Sequence, residues 1–350
     1  MNDRQNDMAS QTSEGAIERA LEPLPWKVLE PLPRSPSEDA ARGDEGILAD
    51  KIFYGVTKSL AIFVIVLAVL LVVYLFHGSW QAMQRFGWQF LTGTTWDPVA
   101  EIFGTLPTII GTLVKSFLAI MIAVPISLGS AIFLALYAPK WLRNPLSYLV
   151  ELLAAIPSVV FGLWGLFVLV PVVRVWQIWL KSHFGWFPLF NGPAVYGVGV
   201  LAAGLILAIM ITPIITAISR DLLRAVPRSQ MEAMLALGAT PWEAVWKAVL
   251  PYARVGLVGA VVLGLGRAVG ETMAVTLVGG NAFKLVTSLF DPVHSMASQI
   301  ASEFTEATYD LYVSSLIYVG LVLFGITILL GLLSQLLIWR LSRGQVGILE

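Results

Sequence analysis

The 350-residue sequence contains no cysteine. Disulfides, thiolate catalysis and cysteine-ligated metals are therefore excluded within this chain. Histidine is scarce as well: His77, His183 and His294 are far apart and share no metal-ligand spacing. Asp, Glu, Lys and Arg together make up only 13% of the residues, against about 25% in a soluble globular domain. A net charge of −1 without a basic stripe excludes a nucleic-acid partner. No G-x-x-x-x-G-K-[ST] loop occurs, so the chain has no phosphate cradle for ATP. The nearest fragment, Gly111 to Ser116, lacks the glycine before Lys115 and falls in an apolar stretch. No nucleophile–base arrangement stands out, and a stand-alone enzyme is not expected.

What the chain has in abundance is apolar sequence: 57% hydrophobic residues and a mean hydropathy of +0.78. Six apolar stretches run over residues 56–76, 108–137, 146–172, 194–218, 256–279 and 311–340. A membrane span needs about 20 such residues, and backbone groups in lipid must bond internally, so each stretch predicts a helix. The expected fold is an all-α membrane protein with six transmembrane helices over residues 51–350. Pro125, Pro157 and Pro213 fall inside spans, where a freed carbonyl needs another helix or a wet cavity. Residues 1–50 read as a disordered tail rich in Glu, Pro and Ser, with Leu21–Pro25 repeated as Leu29–Pro33. The repeat suits either an extended docking peptide or a spacer. The acidic N-terminus is not a cleavable signal peptide. Lys140, Arg143, Arg220, Arg224, Arg228, Lys247, Arg254, Arg340 and Arg343 fall on one side of the spans. By the positive-inside rule both termini are cytoplasmic.

Between spans four and five, residues 227–251 predict two short helices outside the membrane. Ser229 precedes Glu232 by three residues, and Thr240 precedes Glu243 likewise; both pairs fit a capping box. Gly238 suits the left-handed end of the first helix and Pro241 the first position of the second. Pro251 is expected to limit the second helix. Trp242, Trp246 and Leu250 mark one apolar face. Glu232-Ala233-Met234, Gly238 and Ala248-Val249-Leu250-Pro251 resemble the "EAA" signature of ABC-importer permeases, with Met234 and Ala248 departing from the usual pattern. The resemblance implies a coupling helix, so Glu232, Ala233, Gly238, Leu250 and Pro251 are expected to serve ATPase docking. Glu232 is equally explained by its capping box.

Span five carries the second candidate. Arg267 and Glu271 lie four residues apart near its middle, on one face if the helix is continuous. Intramembrane charge is costly and points to function. Gly256, Ala260 and Gly264 share the stripe, and Gly266 and Gly270 form a GxxxG element. An arginine fork matches phosphate bidentately, while a carboxylate can accept the proton phosphate retains near neutral pH and sulfate lacks. The alternative is an ion pair that only neutralises a packed interior. The run Arg267 to Val275 followed by Gly280-Asn281 resembles the RAxGETMAV…GN segment of phosphate permeases of the PstC type. Glu151 to Gly165 resembles that family's third span, and Thr94 to Pro98 with Phe103-Gly104 its first external loop.

The resemblance covers about residues 55–340. It implies a type I ABC-importer permease in the bacterial inner membrane that moves inorganic phosphate by alternating access. Arg267 and Glu271 would be its substrate-binding residues, with Ser158, Thr272 and Asn281 as further candidates. The implied partners are a second homologous permease, an ATPase dimer that binds ATP and Mg, a periplasmic phosphate-binding protein, phosphate and membrane lipid. No cofactor is expected in this chain. Rival readings are a permease for sulfate or molybdate, a proton-coupled carrier using Glu271, and a part in phosphate signalling. Lys115 is expected to snorkel to the interface, or else to draw anions inward. Glu151 suits a helix N-terminus, or a gate with another subunit. Trp96 and Asp97 would contact a binding protein or shape their loop, and Trp176, Trp179 and Trp186 suit an interfacial belt.

Overall fold

The computed structural model describes residues 44–194 and 196–346. Most of the expected tail, residues 1–43, lies outside the described residues. Among the described residues six helices are long and apolar enough to cross a membrane: Asp50–Gly78, Leu106–Tyr137, Ser158–Phe184, Val200–Ala225, Pro241–Gly270 and Asp310–Arg340. The first belongs to α1 (Asp44–Gly78), which straddles the boundary between two compact units after Leu70. In the first unit every residue from Asp50 to Leu70 is exposed, as a helix solvated by lipid should be.

The second unit begins with the end of α1, α2 (Trp80–Phe86) and the short α3 (Gln89–Thr92). A two-stranded ribbon of β1 (Trp96–Asp97) and β2 (Ile102–Phe103) pairs Trp96 with Phe103. α4 (Leu106–Ile132) forms span two and α5 (Lys140–Ala155) follows it. Span three is α6 (Ser158–Trp164) continued by α7 (Val170–Phe184), and span four is α8 (Val200–Ala225). The hairpin contains α9 (Arg228–Ala236) and α10 (Pro241–Ala244), and span five leads into α11 (Leu250–Gly270). After it come α12 (Met273–Val278), α13 (Met296–Glu303) and α14 (Asp310–Val346).

α8 is the central helix. Ala202, Ala203, Ile206, Leu207, Met210, Ile211 and Ile215 on it are buried, against α4 on one side and α11 on another. Gly204 permits this approach, because a Cβ there would stand 2.5 Å from Leu118 Cδ2 on α4. Span three starts twelve residues later than the sequence pattern suggests, at Ser158 rather than 146. The apolar residues of α5 belong to a separate helix that ends at Ile156 and Pro157, both extended. A residue before proline is pushed out of the helical region, and this is the cause of the break. Glu151 consequently sits deep in α5, not at a helix N-terminus, and Glu151 Oε1 accepts from Arg220 Nη2 at 3.0 Å. Trp176, Trp179 and Trp186 are exposed around the end of span three.

Three π-turns, Phe133–Tyr137, Gly165–Leu169 and Val245–Val249, each precede a proline by two residues: Pro139, Pro171 and Pro251. Pro251 therefore does not end the helix it was expected to limit; the chain stays helical from Pro241 to Gly270. In the wider turn the Leu250 N–H reaches back to Val245 O. That moves the carbonyl with which the proline ring would otherwise collide.

The loop before span two is fixed from within. Trp96 Nε1 donates to Glu303 Oε2 at 2.6 Å, and the Tyr312 hydroxyl donates to the same oxygen at 2.9 Å. Burial raises the Glu303 carboxyl, against the pull of these donors. Asp97 Oδ1 accepts the Val99 and Ala100 N–H groups. Both Trp96 and Asp97 thus shape their loop.

Candidate functional site

The site forms where span five breaks. α11 ends at Gly270, Glu271 is extended (φ −70°, ψ 126°), and the helix resumes at Met273. The expectation of a continuous helix with Arg267 and Glu271 on one face fails for this reason: Arg267 lies in the last turn and Glu271 outside it. No ion pair joins them among the described residues. Arg267 is exposed and has no hydrogen-bonding partner among the described residues. Glu271 is 7% exposed, and its Oε1 accepts the Ala274 N–H at 3.3 Å, satisfying a donor at the start of α12.

Lys115 supplies what the sequence pattern missed. It is fully buried, so it does not snorkel. Its Nζ donates to Ala268 O at 3.3 Å and Glu271 O at 3.2 Å. A helix that stops in lipid leaves carbonyls without partners and carries partial negative charge at that end. The Lys115 ammonium answers both, and the Glu271 charge acts on it as well. Its position three turns into span two faces inward because α4 packs on α8 and α11. Helical periodicity alone could have placed Lys115 with Thr108 and Thr112, polar positions that are also buried.

The small residues divide into two faces. A Cβ on Gly256 would meet Leu222 Cδ2 at 2.8 Å, and one on Gly264 would meet Ile215 Cδ1 at 2.6 Å. The stripe of Gly256, Ala260 and Gly264 therefore packs α11 against α8 and does not make room for the charges. Gly259, Gly266 and Gly270 have open space beside them, and Leu263 between them is 60% exposed. The GxxxG element thus lies on the open face that also presents Arg267.

The break in span three is a close neighbour. A Cβ on Gly162 would stand 3.0 Å from Ala274 Cα, so α6 packs directly on α12. Ser158, one turn earlier, is half-buried in the first turn of α6. Thr272 Oγ1 donates to Gly270 O at 3.3 Å, within the break itself. Asn281 is not brought to the pair. It lies beyond the far end of α12, at φ 45°, where its Nδ2 donates to Thr276 O at 3.0 Å. Its role there is to end a helix. No group of three metal-ligating side chains occurs among the described residues.

The hairpin carries the second set of candidate residues. α9 ends at Gly238 with φ 84°, and Ala239 N–H reaches Met234 O while Gly238 N–H reaches Leu235 O. These two bonds form a Schellman cap, which needs the left-handed conformation glycine adopts readily. Thr240 and Glu243 form the expected capping box. Ser229 and Glu232 do not, because α9 already starts at Arg228 and puts Ser229 inside its first turn. Glu232 and Ala233 are exposed, as are Leu237 at 84% and the edge-to-face pair Trp242 and Trp246. Leu250 is half-buried, packed against the cluster that includes Leu223 and Val249.

Comparison with known proteins agrees with this architecture. The family model "Binding-protein-dependent transport system inner membrane component" matches residues 123–344. The chain is 47% identical to the phosphate transport system permease protein PstC of Mesorhizobium japonicum, over 90% of this chain and 98% of the relative. It is 48% identical to PstC of Pasteurella multocida, over 85% of this chain and 94% of the relative. Among solved structures, an inward-facing MetNI methionine ABC transporter chain superposes with a TM-score of 0.51 at 18% identity, covering 71% of this chain and 99% of that one. That likeness concerns the fold alone. The six-span architecture, the broken fifth span and the capped hairpin, taken with these matches, place the chain in the family of binding-protein-dependent inner-membrane transport components, among the permeases of the PstC type.

Proposed function

We propose that this chain forms the membrane path for inorganic phosphate in an ATP-driven importer, with Arg267 as the residue that receives the anion. The observation that carries this reading is an arginine without a partner among the described residues, on the open face of a transmembrane helix beside the break in that helix. An arginine in hydrocarbon is costly unless it has work to do, and its fork matches two phosphate oxygens. Lys115 and Glu271 balance each other, so the three groups sum to +1 and an approaching anion meets an attractive field. Glu271 offers an acceptor for the proton phosphate carries, which sulfate or molybdate at the same pH does not present. Ser158 and Thr272 lie at the two neighbouring breaks and complete the candidate lining. The relatives' name, phosphate transport system permease, supports the same substrate.

The open face of α11, with Gly259, Leu263, Gly266 and Gly270, suits close approach of a second permease, which would close the path around Arg267. The exposed hairpin of Glu232, Ala233 and Gly238 suits a groove in an ATPase subunit, where ATP and Mg are bound, and a periplasmic phosphate-binding protein would deliver the anion. Six spans put the hairpin and both termini on the same side, the cytoplasmic one by charge bias. Closure of the ATPase would then move the hairpin, and α11 with it, because no break separates Pro241 from Gly270. The test is ATP-dependent phosphate uptake into vesicles holding the whole importer. Arg267→Ala should abolish uptake while assembly survives, and sulfate or molybdate in excess should leave wild-type uptake unchanged. Normal uptake by that variant would remove Arg267 from the path.

A further inference from the structure

A groove of about 470 Å³ opens at the foot of the hairpin. Its floor is apolar, with Leu136, Leu223 and Val249, and its rim carries Arg143, Arg224 and Arg228 with one carboxylate, Glu232. It lies about 27 Å along the helix axis from Arg267, taking the 18 residues from Val249 at ~1.5 Å each. The rim has an excess of two positive charges (three arginines less one glutamate). The nearest carboxylates, Glu151 and Asp221, bond Arg220 at 3.0 and 2.8 Å and offset only part of the like charge felt by Arg224.

The donors are also underused. Arg143 Nη2 donates to Ala138 O at 3.0 Å, but its Nε is buried without a partner. Arg224 and Arg228 have no hydrogen-bonding partner among the described residues. The charges of Arg143 and Arg220 act on Arg224 as like charges, against the opposite pull of Asp221 and Glu151. α9 begins at the same rim with no side-chain cap on its first turn, leaving N–H groups free to meet an anion. Guanidinium forks and free backbone N–H groups together are the recognition chemistry of a phosphate group.

We infer that this groove is a second binding site, separate from the transport path, for a phosphate-bearing anion. The apolar floor of Leu136, Leu223 and Val249 favours the phosphodiester head of an anionic phospholipid, whose glycerol and first acyl carbons would lie along it. Free inorganic phosphate is the other source of the same chemistry.

The whole importer is purified from nanodiscs of phosphatidylcholine containing phosphatidylglycerol, and retained lipid is read by native mass spectrometry. The wild type should retain phosphatidylglycerol, and Arg228→Gln should retain about tenfold less, the loss expected for one charge-assisted hydrogen bond. Arg228 is exposed in the first turn of a surface helix, so the variant should assemble normally, which size-exclusion chromatography checks. Arg85→Gln, in α2 after span one, is the control and should leave retention unchanged. The second arm uses pure phosphatidylcholine discs and compares thermal shifts in sodium phosphate with those in sodium chloride at equal ionic strength. A phosphate-specific shift that Arg228→Gln loses, without lipid retention, assigns the site to free phosphate. Equal lipid retention and equal phosphate shifts in wild type and Arg228→Gln would overturn the site. Neither readout depends on transport or ATP turnover, so its outcome is separate from the fate of Arg267.

Discussion

Replacing Lys115 by methionine keeps most of the apolar stem of the side chain and removes the ammonium. Two carbonyls at the end of α11, those of Ala268 and Glu271, then lose their donor. The Glu271 carboxylate, 7% exposed, also loses the positive charge set against it. Hydrogen bonds to a charged group contribute roughly 1.5–3 kcal/mol, and leaving a buried charge unpaired costs about 3–5 kcal/mol. Methionine avoids the cost of burying an ammonium, so the net loss should fall at about 2–4 kcal/mol. The decisive variant is therefore the double one, Lys115→Met with Glu271→Gln, in which no charge is stranded. Thermal unfolding of the detergent-solubilised importer should show a clear drop for Lys115→Met. The double variant should recover much of it, with a coupling of roughly 1–3 kcal/mol. Phosphate uptake should be lost in both. A single variant that unfolds like wild type, or a double variant whose losses simply add, would refute the view that Lys115 answers the break and its carboxylate.

Further outcomes follow from other elements. Gly238→Val forces a β-branched residue to φ 84°, at about 1–2 kcal/mol, and should weaken ATPase co-purification while insertion of the spans is retained. Thr240→Ala removes the capping box and should cost about 1 kcal/mol, read as faster proteolysis of the hairpin at Trp242. Gly264→Leu drives a side chain into Ile215 and should lower the unfolding midpoint, whereas Gly266→Leu meets open space in the isolated chain and should impair only assembly with the second permease. His294 is held at about 4 by burial, below its ordinary 6.5. The unfolded chain then binds more protons, so stability is complete above about pH 6.5 and falls as pH drops toward 4, by up to about 3 kcal/mol. His294→Asn should flatten unfolding midpoints across that window, and an unchanged profile would show that another group controls it.

Much of the fold was legible in the pattern of residues. Long apolar runs have one stable solution in lipid, and so the number of spans and their helical nature followed from hydropathy alone. Gly238 and Thr240 were readable because caps depend on local chemistry, on one backbone angle and one hydroxyl. The boundaries of span three were not readable, because α5 is as apolar in places as a span and only the Ile156–Pro157 kink separates the two. The Ser229 box failed because the helix starts two residues earlier, a shift too small for sequence spacing to detect.

The sequence by itself determined that this chain lives in a membrane, carries charges in its fifth span and ends its hairpin helix at Gly238. Each of these depends on transfer cost or on conformational preference within a few residues. Only the tertiary structure decided what the charges do. Arg267 and Glu271 were expected to share a helical face, but the helix stops between them and its freed carbonyls are taken by Lys115, more than 150 residues earlier in the chain. Which carbonyl a break releases, and which side chain reaches it, depends on how α4, α8 and α11 pack, and that packing is not a local property of any of them.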